Sequence, residues 1–287
     1  MRKKKRKLYL IPLIILAFAA FLYFENNELS VTEFQISSSK LPEGFDSYRI
    51  VQLTDLHNKA FGKEQQRLVR KVSGLKPNLI VMTGDLVDSK RYNAEVSLTL
   101  MREMTKLAPV YYVTGNHEWA SNRYETLEEG LLGLGVHVLR NDTEIITLGQ
   151  GEIRMAGVDD PIFNVVADGD VDKMNEHISK ALEAAEPQEN DLFTILLSHR
   201  PELFSVYLKH KIDLTFSGHA HGGQVRVPFV GGLIAPGQGF WPKYDAGKYE
   251  EEGTTMIVSR GLGNSVVPQR LFNRPEVVLV ELTRSNH

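Results

Sequence analysis

Five apolar runs in this chain each pass directly into a polar cluster, and this arrangement limits the possible folds more than any other feature of the sequence. The runs and their clusters are 49–53 with 54–57, 78–82 with 83–85, 110–113 with 114–118, 192–197 with 198–199 and 213–216 with 217–221. Short apolar runs are typical of strands that are buried on both faces. The sequence therefore predicts a core of buried strands that end in polar side chains.

Between these runs, apolar residues recur at the spacing of an amphipathic helix. The predicted helices cover 63–75, 94–107, 124–134 and 171–185, and the segments 254–258 and 277–282 are predicted as further strands. Strands that alternate with helices indicate an α/β fold. In open α/β sheets the carboxyl ends of the strands share one edge, where ligands bind, so we expect the five polar clusters to meet in space.

Each polar cluster is weak evidence by itself, because a single Asp or His at a strand end is more often a cap or a turn residue. The ordered set is Asp55-x-His57, Gly84-Asp85-x-x-Asp88, Gly115-Asn116-His117-Glu118, Ser198-His199 and Gly218-His219-x-His221. The 287 residues include no cysteine, so histidines and carboxylates are the only strong metal ligands available. A full set of such residues at five strand ends indicates a metal site.

This ordered set resembles the signature of the calcineurin-like metallophosphoesterase superfamily, over roughly residues 48–283, and all five core motifs match the family pattern. Two further segments, 222–228 and 259–263, resemble the bacterial membrane-anchored branch, whose members include envelope phosphodiesterases and pyrophosphatases of diacylated UDP-sugars. The resemblance implies an α/β fold in which two mixed sheets form a β-sandwich flanked by helices. This four-layer αββα domain would follow an N-terminal transmembrane helix.

The resemblance also implies two divalent metal ions, drawn from Mn, Zn and Fe. Two such ions, about 3.5–4 Å apart, need a shared anionic ligand that offsets their repulsion, and Asp85 is the natural bridge. The remaining ligands implied by the resemblance are Asp55, His57 and His221 for one ion and Asn116, His199 and His219 for the other.

The two histidines of the last motif, His219 and His221, are expected to bind different ions. Side chains two residues apart on an extended strand point the same way, so this division requires a bend in the backbone. Gly218, Gly222 and Gly223 surround the pair and permit that bend.

By the same resemblance, the reaction is a hydrolysis in which a metal-bridging hydroxide attacks phosphorus in line. His117 is expected to protonate the leaving oxygen or to stabilise the transition state, and Asp88 to orient its imidazole through a hydrogen bond. A helix N-terminal cap is the alternative role for Asp88. Arg200 is a candidate contact for a substrate phosphate, with a surface salt bridge as its alternative. Asn58 and Glu118 have no predicted role.

The chain begins with six basic residues at positions 2–7, followed by an uncharged run over 8–24. As a helix these 17 residues would extend roughly 26 Å, close to the minimum for a hydrocarbon core of about 30 Å. The basic end is expected to stay in the cytoplasm, which places the rest of the chain outside. We therefore predict a signal anchor over 1–24, a linker and first strand region over 25–45, and an extracytoplasmic metallophosphoesterase domain over 46–287.

Two alternatives apply to this N-terminal segment. Ala17-Phe18-Ala19 is compatible with a cleaved signal peptide and a secreted protein. A core helix or a basic patch for nucleic acid agrees less well with the clean junction between charged and apolar residues. Without residues 1–24 the formal net charge of −3 becomes −9, and such an acidic domain does not favour specific nucleic-acid binding. The sequence indicates no protein partner.

The predicted function is hydrolysis of a phosphoester or pyrophosphate bond in a phosphate-containing small molecule, lipid or envelope substrate, by a protein held in the membrane through residues 8–24. One alternative is a UDP-2,3-diacylglucosamine-type pyrophosphatase of lipid A synthesis, although the usual substrate of that enzyme is cytoplasmic. A second is a non-catalytic metal-binding scaffold, against which the complete ligand set argues. Phe240 and Trp241 are candidates for an apolar substrate wall or a patch in contact with lipid, whereas core packing is the commoner role of such aromatics.

Overall fold

The apolar runs fold into strands whose alternate side chains enter different cores, because neighbouring residues on a strand point to opposite faces. In the computed structural model, Val51 packs in one core and Ile50 in another, and Leu196 and Ile195 divide in the same way. Both faces of these strands are therefore covered. This burial explains why the runs are continuously apolar instead of alternating with polar residues.

The structure describes residues 2–164, 170–185, 191–265 and 267–285. The first residue of the predicted signal anchor, Met1, and the last two residues of the predicted domain, 286–287, therefore lie outside the described residues. The helices are α1 (Arg2–Asn27), α2 (Gln66–Gly74), α3 (Ala94–Thr105), α4 (Asn116–Ala120), α5 (Tyr124–Gly133), α6 (Val171–Ala185) and α7 (Phe204–Lys209). The first eight strands are β1 (Ser30–Ser38), β2 (Tyr48–Leu53), β3 (Leu79–Thr83), β4 (Val110–Val113), β5 (His137–Val138), β6 (Asp142–Leu148), β7 (Gly151–Gly157) and β8 (Thr194–Leu197). The others are β9 (Leu214–Ser217), β10 (Arg226–Val227), β11 (Gly231–Gly232), β12 (Ile234–Ala235), β13 (Gly239–Phe240), β14 (Gly247–Glu251), β15 (Thr254–Val258) and β16 (Glu276–Arg284).

Two six-stranded mixed sheets form the framework of the described residues. The first has the order β1-β16-β2-β3-β4-β5, and the second has the order β14-β15-β9-β8-β7-β6. Strands β2 to β5 are parallel, as are β15, β9, β8 and β7. Parallel strands bring their carboxyl ends to one edge, so each sheet gathers its own polar clusters along one edge.

Three apolar cores separate the four layers of the domain. The core between the sheets contains Val81 and Val280 from the first sheet and Ile195 and Phe216 from the second. Helices α2, α3 and α5 pack on the outer face of the first sheet, and α6 and α7 pack on the outer face of the second. The predicted αββα sandwich is confirmed.

The N-terminal segment forms helix α1, which within Leu10–Asn27 is long and apolar enough to cross a membrane, with a mean hydropathy of 1.6. Most of this stretch is exposed, but its last turn contacts the domain, where Glu25 pairs with Arg274 at 2.7 Å. After two intervening residues, strand β1 begins and pairs in parallel with β16 along its whole length. The helix is therefore followed at once by a strand of the first sheet.

Candidate metal centre

The predicted metal ligands come from both sheets and meet where the carboxyl edges of the two sheets face each other. They follow β2 (Asp55, His57), β3 (Asp85), β4 (Asn116), β8 (His199) and β9 (His219, His221). Among the predicted ligands, potential ligand atoms lie within 4.8 Å of one another in two groups, one of Asp55, His57, Asp85 and His221 and the other of Asp85, His199 and His219. All the residues of both groups are buried. Segments that are distant in the chain thus form one cluster.

Asp85 belongs to both groups. Its Oδ2 lies 3.6 Å from His57 Nε2 and 3.3 Å from His199 Nε2, while its Oδ1 accepts a hydrogen bond from the amide of His117 at 2.8 Å. Burial by itself raises the pKa of the Asp85 carboxyl, but the charges of His199 and His117 outweigh burial and hold the pKa well below its usual range. A carboxylate between two imidazoles has the position that a shared ligand of two cations requires.

Several buried atoms that could bind a metal have no hydrogen-bond partner among the described residues. They include Oδ1 of Asn116 and Nε2 of His219. His57 Nε2 and His221 Nε2 face each other at 3.1 Å, and burial lowers the pKa of both imidazoles to about 3. Neutral imidazoles and free oxygens are the forms that bind divalent metals, and unpaired buried polar atoms are rare in proteins. The cluster therefore fits a pair of divalent ions.

The backbone at several of the ligand residues has an uncommon conformation. Left-handed φ angles occur at Asp55 (52°), His57 (48°), Asp85 (52°), His219 (64°) and His221 (49°). Residues with a side chain disfavour this conformation, and it is concentrated at functional sites. The bend expected between His219 and His221 is present, because both residues are left-handed and neither continues strand β9.

Two glycines allow the ligand loops to approach one another. A Cβ atom at Gly84 would lie 2.6 Å from His199 Nδ1, and one at Gly115 would lie 2.3 Å from Asp85 Oδ1. Neither distance is compatible with close packing of non-bonded atoms. The contact at Gly84 also permits His199 Nδ1 to lie 2.7 Å from the carbonyl oxygen of Thr83, which places the proton on Nδ1 and leaves Nε2 towards Asp85.

Glu118, which had no predicted role, ties two loops of the centre together, the one after β3 and the one after β4. Its Oε2 accepts hydrogen bonds from the amides of Asp85 at 2.8 Å and Gly115 at 2.7 Å, and its Oε1 accepts one from the amide of Val87 at 3.1 Å. Burial, followed by the Asp85 carboxylate, raises the pKa of Glu118 to about 8. The signal in the sequence was an acidic residue in the first turn of a helix, where a carboxylate satisfies free amides.

His117 lies against the cluster, with its ring centroid 4.4 Å from that of His57. Its Nδ1 accepts a hydrogen bond from the amide of Ser89 at 3.1 Å, so a neutral ring carries its proton on Nε2. The expected hydrogen bond between Asp88 and His117 is not among those of the described residues. Asp88 instead accepts hydrogen bonds from the amide and the guanidinium of Arg91, because an Asp side chain readily bonds the backbone two or three residues further on. Asp88 thus caps its own turn.

Arg200 has neither of its two predicted environments, a contact with the substrate phosphate or a surface salt bridge. Its side chain is fully buried, and its guanidinium donates two hydrogen bonds to Asp160, at 2.7 and 3.2 Å, and one to Glu202, at 3.3 Å. This paired geometry compensates a positive charge that has been removed from water. Arg200 is therefore part of a buried ion-pair network.

An open cleft of about 440 Å³ borders the centre at His57. The side chains that line it belong to Asn26, His57, Asn58, Lys59, Arg91, Asn93, Asn264 and Pro268. The first of these, Asn26, lies in the last turn of helix α1. The end of the candidate membrane helix is therefore part of the wall of the cleft.

Lys59 connects the helix to the loop of the metal ligands. Its Nζ donates hydrogen bonds to the carbonyl oxygen of Asn26 and, at 2.8 Å, to Oδ1 of Asn264. Burial, followed by the charge of Arg270, lowers the pKa of Lys59 to about 7. No motif marks this residue, since its partners lie in segments that only the tertiary structure brings near.

Residues 48–223 match the family model described as calcineurin-like phosphoesterase. A Bacillus subtilis protein described as an uncharacterized metallophosphoesterase, YkuE, is 29% identical over 92% of this chain and 89% of its own length. A Bos taurus transmembrane protein with metallophosphoesterase domain is 30% identical over 86% of this chain and 56% of its own length. The solved structure of a dimetal phosphatase from Danio rerio aligns with 75% of this chain and 88% of its own, with a TM-score of 0.44 and 13% identity.

Replacing Asp85 by Asn is expected to lower the metal content from about two ions per chain to below about one, because a neutral amide does not offset the repulsion between two cations. The measurement is elemental analysis by mass spectrometry after removal of free metal. His137→Asn, at a side chain 41% exposed and outside the cluster, is the matched control and should keep both ions. An Asp85→Asn protein that retained both ions would contradict the shared position of this carboxylate.

Proposed function

Because the chain belongs to the calcineurin-like phosphoesterase family, we propose that it hydrolyses phosphoester or pyrophosphate bonds in a lipid-linked or envelope substrate. Family membership and the buried cluster of Asp and His make the chain a metal-dependent phosphoesterase. The observation that carries the finer proposal is the cleft beside His57, whose wall includes Asn26 from the candidate membrane helix. A substrate in this cleft would contact the metal centre and the end of the helix together.

The residues of the centre have two proposed roles: some bind the ions, and Glu118 holds the ligand loops in position. When bound, two divalent ions polarise a phosphoryl group and activate water for its hydrolysis. The residues proposed to hold the ions are Asp55, His57, Asp85, Asn116, His199, His219 and His221. Glu118 is proposed to keep the loops of Asp85 and Gly115 at the distance that this ligand set needs.

His117 is proposed to assist the departure of the leaving oxygen. The amide of Ser89 keeps Nδ1 as an acceptor, so Nε2 holds the proton that a leaving oxygen requires. Asp88 caps the turn that follows it, which includes Ser89, and lies near the rings of His57 and His117. We therefore propose Asp88 as a positioning residue that acts on His117 through this turn.

Replacing His117 by Asn is expected to lower kcat for bis(p-nitrophenyl) phosphate, with Mn or Zn added, by about 10²- to 10⁴-fold, as for the loss of a general acid. The metal content should stay close to that of the wild type, because His117 is not among the proposed ligands. His137→Asn should keep the wild-type rate. An unchanged kcat in the His117 variant would exclude the proposed role, and wild-type protein with metal bound but no turnover of any substrate would favour a non-catalytic scaffold.

Arg91 gives the cleft a positive wall in a domain that is otherwise acidic, with a formal net charge of −9 after residue 24. Its Nη2 pairs with Asp88 at 3.0 Å, but its side chain is 67% exposed and a guanidinium has further N–H groups that can bind phosphate oxygens. The cation lies beside the metal ligand His57 but is not itself part of the ligand cluster. We therefore propose that the substrate carries a second anionic group next to the phosphate that is hydrolysed.

Arg91→Gln is expected to raise KM for a lipid-linked pyrophosphate in vesicles about tenfold, since a charge-assisted hydrogen bond contributes about 1.5 kcal/mol. KM for bis(p-nitrophenyl) phosphate, which has a single phosphate, should change little. Arg70→Gln, at an exposed position of α2, is the charge-matched control. The substrate panel should include lipid phosphates, UDP-diacylglucosamine and nucleotides. A preference for nucleotides together with an unchanged KM in the Arg91 variant would contradict a lipid-linked substrate.

We also propose that the domain lies outside the cytoplasm. The support is the basic stretch at positions 2–7, which precedes the apolar part of α1 and tends to remain on the cytoplasmic side. A reporter that is active only outside the cytoplasm should be active when fused after residue 287, and one that is active only inside should be silent. The reverse pair of results would overturn this orientation, and release of the reporter into the medium would indicate cleavage near residues 17–19.

A further inference from the structure

Five large apolar side chains are exposed on the loops between β9 and β16, and we refer to them as the aromatic platform. Their exposed fractions are 109% for Phe229, 64% for Val230, 70% for Phe240, 57% for Trp241 and 49% for Phe272. They lie outside the metal ligand groups and take no part in the proposed hydrolysis. Exposed apolar patches of this kind mark surfaces that contact a partner or a membrane.

Backbone hydrogen bonds hold the segments of the platform side by side. The amide of Arg226 donates to the carbonyl oxygen of Leu271 at 3.0 Å. The amide of Leu233 donates to Val225 at 2.9 Å, and the amide of Trp241 donates to Leu233 at 2.9 Å. The strand pairs β10–β11 and β12–β13 complete this ribbon. The platform is therefore one connected surface.

Phe272 joins the platform to helix α1. Its ring centroid lies 5.6 Å from that of Phe21, and the side chain of Gln269 donates a hydrogen bond to the carbonyl oxygen of Leu22 at 2.9 Å. Phe21 precedes Phe24, the last residue of the apolar run, by three positions, or about 4.5 Å along a helix. A bilayer crossed by α1 would therefore meet the platform at its outer boundary.

Three of the platform aromatics also have an unfavourable backbone conformation. The φ angle is 67° at Phe229, 57° at Trp241 and 51° at Phe272. A bulky residue is strained in this left-handed region, and these side chains remain largely exposed, so burial in the domain does not compensate the strain. Strained positions that display apolar groups indicate a contact made outside the domain.

We propose that the aromatic platform is a membrane-docking surface that inserts into the interface of the bilayer crossed by α1. The occupant is the lipid interface because the platform is continuous with the candidate membrane helix through Phe272 and Phe21. Tryptophan and phenylalanine have favourable free energies of transfer to that interface. Docking would hold the domain in one orientation on the membrane instead of leaving it free to rotate on a tether.

This docking places the cleft at the level of the lipid headgroups. Asn264 and Pro268 line the cleft, and the segment that continues from them reaches Phe272 in the platform. Asn264 also donates a hydrogen bond to Asn26 at the end of α1 at 2.7 Å. A phosphate on a lipid could enter the cleft without its acyl chains leaving the membrane, a consequence that rests on the proposed function.

The test uses the full chain in vesicles, with Trp119→Phe so that Trp241 is the only tryptophan. We expect its emission to be blue-shifted and strongly quenched when the vesicles contain lipids brominated near the top of the acyl chains. A second reporter, Phe229→Trp in a chain lacking both native tryptophans, should behave in the same way. Retention of the wild-type metal content reports that each variant is folded.

The matched control is Leu148→Trp in the chain that lacks both native tryptophans. Leu148 is 43% exposed and pairs with Gly151, at the amino end of β7 and thus at the edge of the sheets opposite the metal centre. Its tryptophan should emit as in water and resist quenching. Equal behaviour of the platform reporters and this control would overturn the proposal. A blue shift that needs a high protein density and shows no bromine quenching would assign the surface to a second copy of the chain, and would also overturn it.

The fluorescence test needs no turnover, so it separates docking from hydrolysis. Quenching of Trp241 in an Asp85→Asn chain, or in a chain that hydrolyses none of the substrates tried, would support docking although the proposed function had failed. Active protein whose platform reporters remain in water would support the function and exclude the docking surface.

Discussion

The buried carboxylate of Asp85 is the group on which the rest of the site depends, because it lies where the two sheets converge. It contacts His57 from the first sheet and His199 from the second, and two amides of its loop, those of Asp85 and Val87, donate hydrogen bonds to Glu118. Removing so many ionisable groups from water is unfavourable unless they are paired or bind a cation. Divalent ions bound at this edge of the sandwich would therefore also stabilise the contact between the two sheets.

Left-handed backbone conformations occur at the metal centre and on the platform, as well as at several other turns of the described residues. The predicted metal ligands Asp55 and Asp85 have left-handed φ angles, and so do Phe229 and Trp241 of the platform. Such conformations persist only where surrounding structure determines them. The three cores, one between the sheets and two between the sheets and their helices, supply that rigidity, since their residues are almost wholly buried.

Helix α1 is a structural part of the cleft as well as a candidate anchor. Lys59 donates a hydrogen bond to Asn26, Arg274 pairs with Glu25, and only two residues separate the helix from strand β1. A flexible tether would leave the geometry of the cleft independent of the membrane. Here the loop that follows His57 is bonded directly to the helix, so the shape of the cleft would be linked to the position of a membrane crossed by α1.

The sequence by itself determined which segments are buried strands, because runs that are apolar on both faces have few other stable arrangements, and it determined which ligand types stand at the strand ends. It also predicted the apolar helix from its length and flanking charges. Only the tertiary structure decided that Arg200 is buried, that Asp88 bonds its own turn, and that Asn26 lines the cleft. The spacing of apolar residues predicts which residues are buried. The partner of a polar side chain, by contrast, can come from a distant part of the chain, as for His57 and His221, which are 164 positions apart.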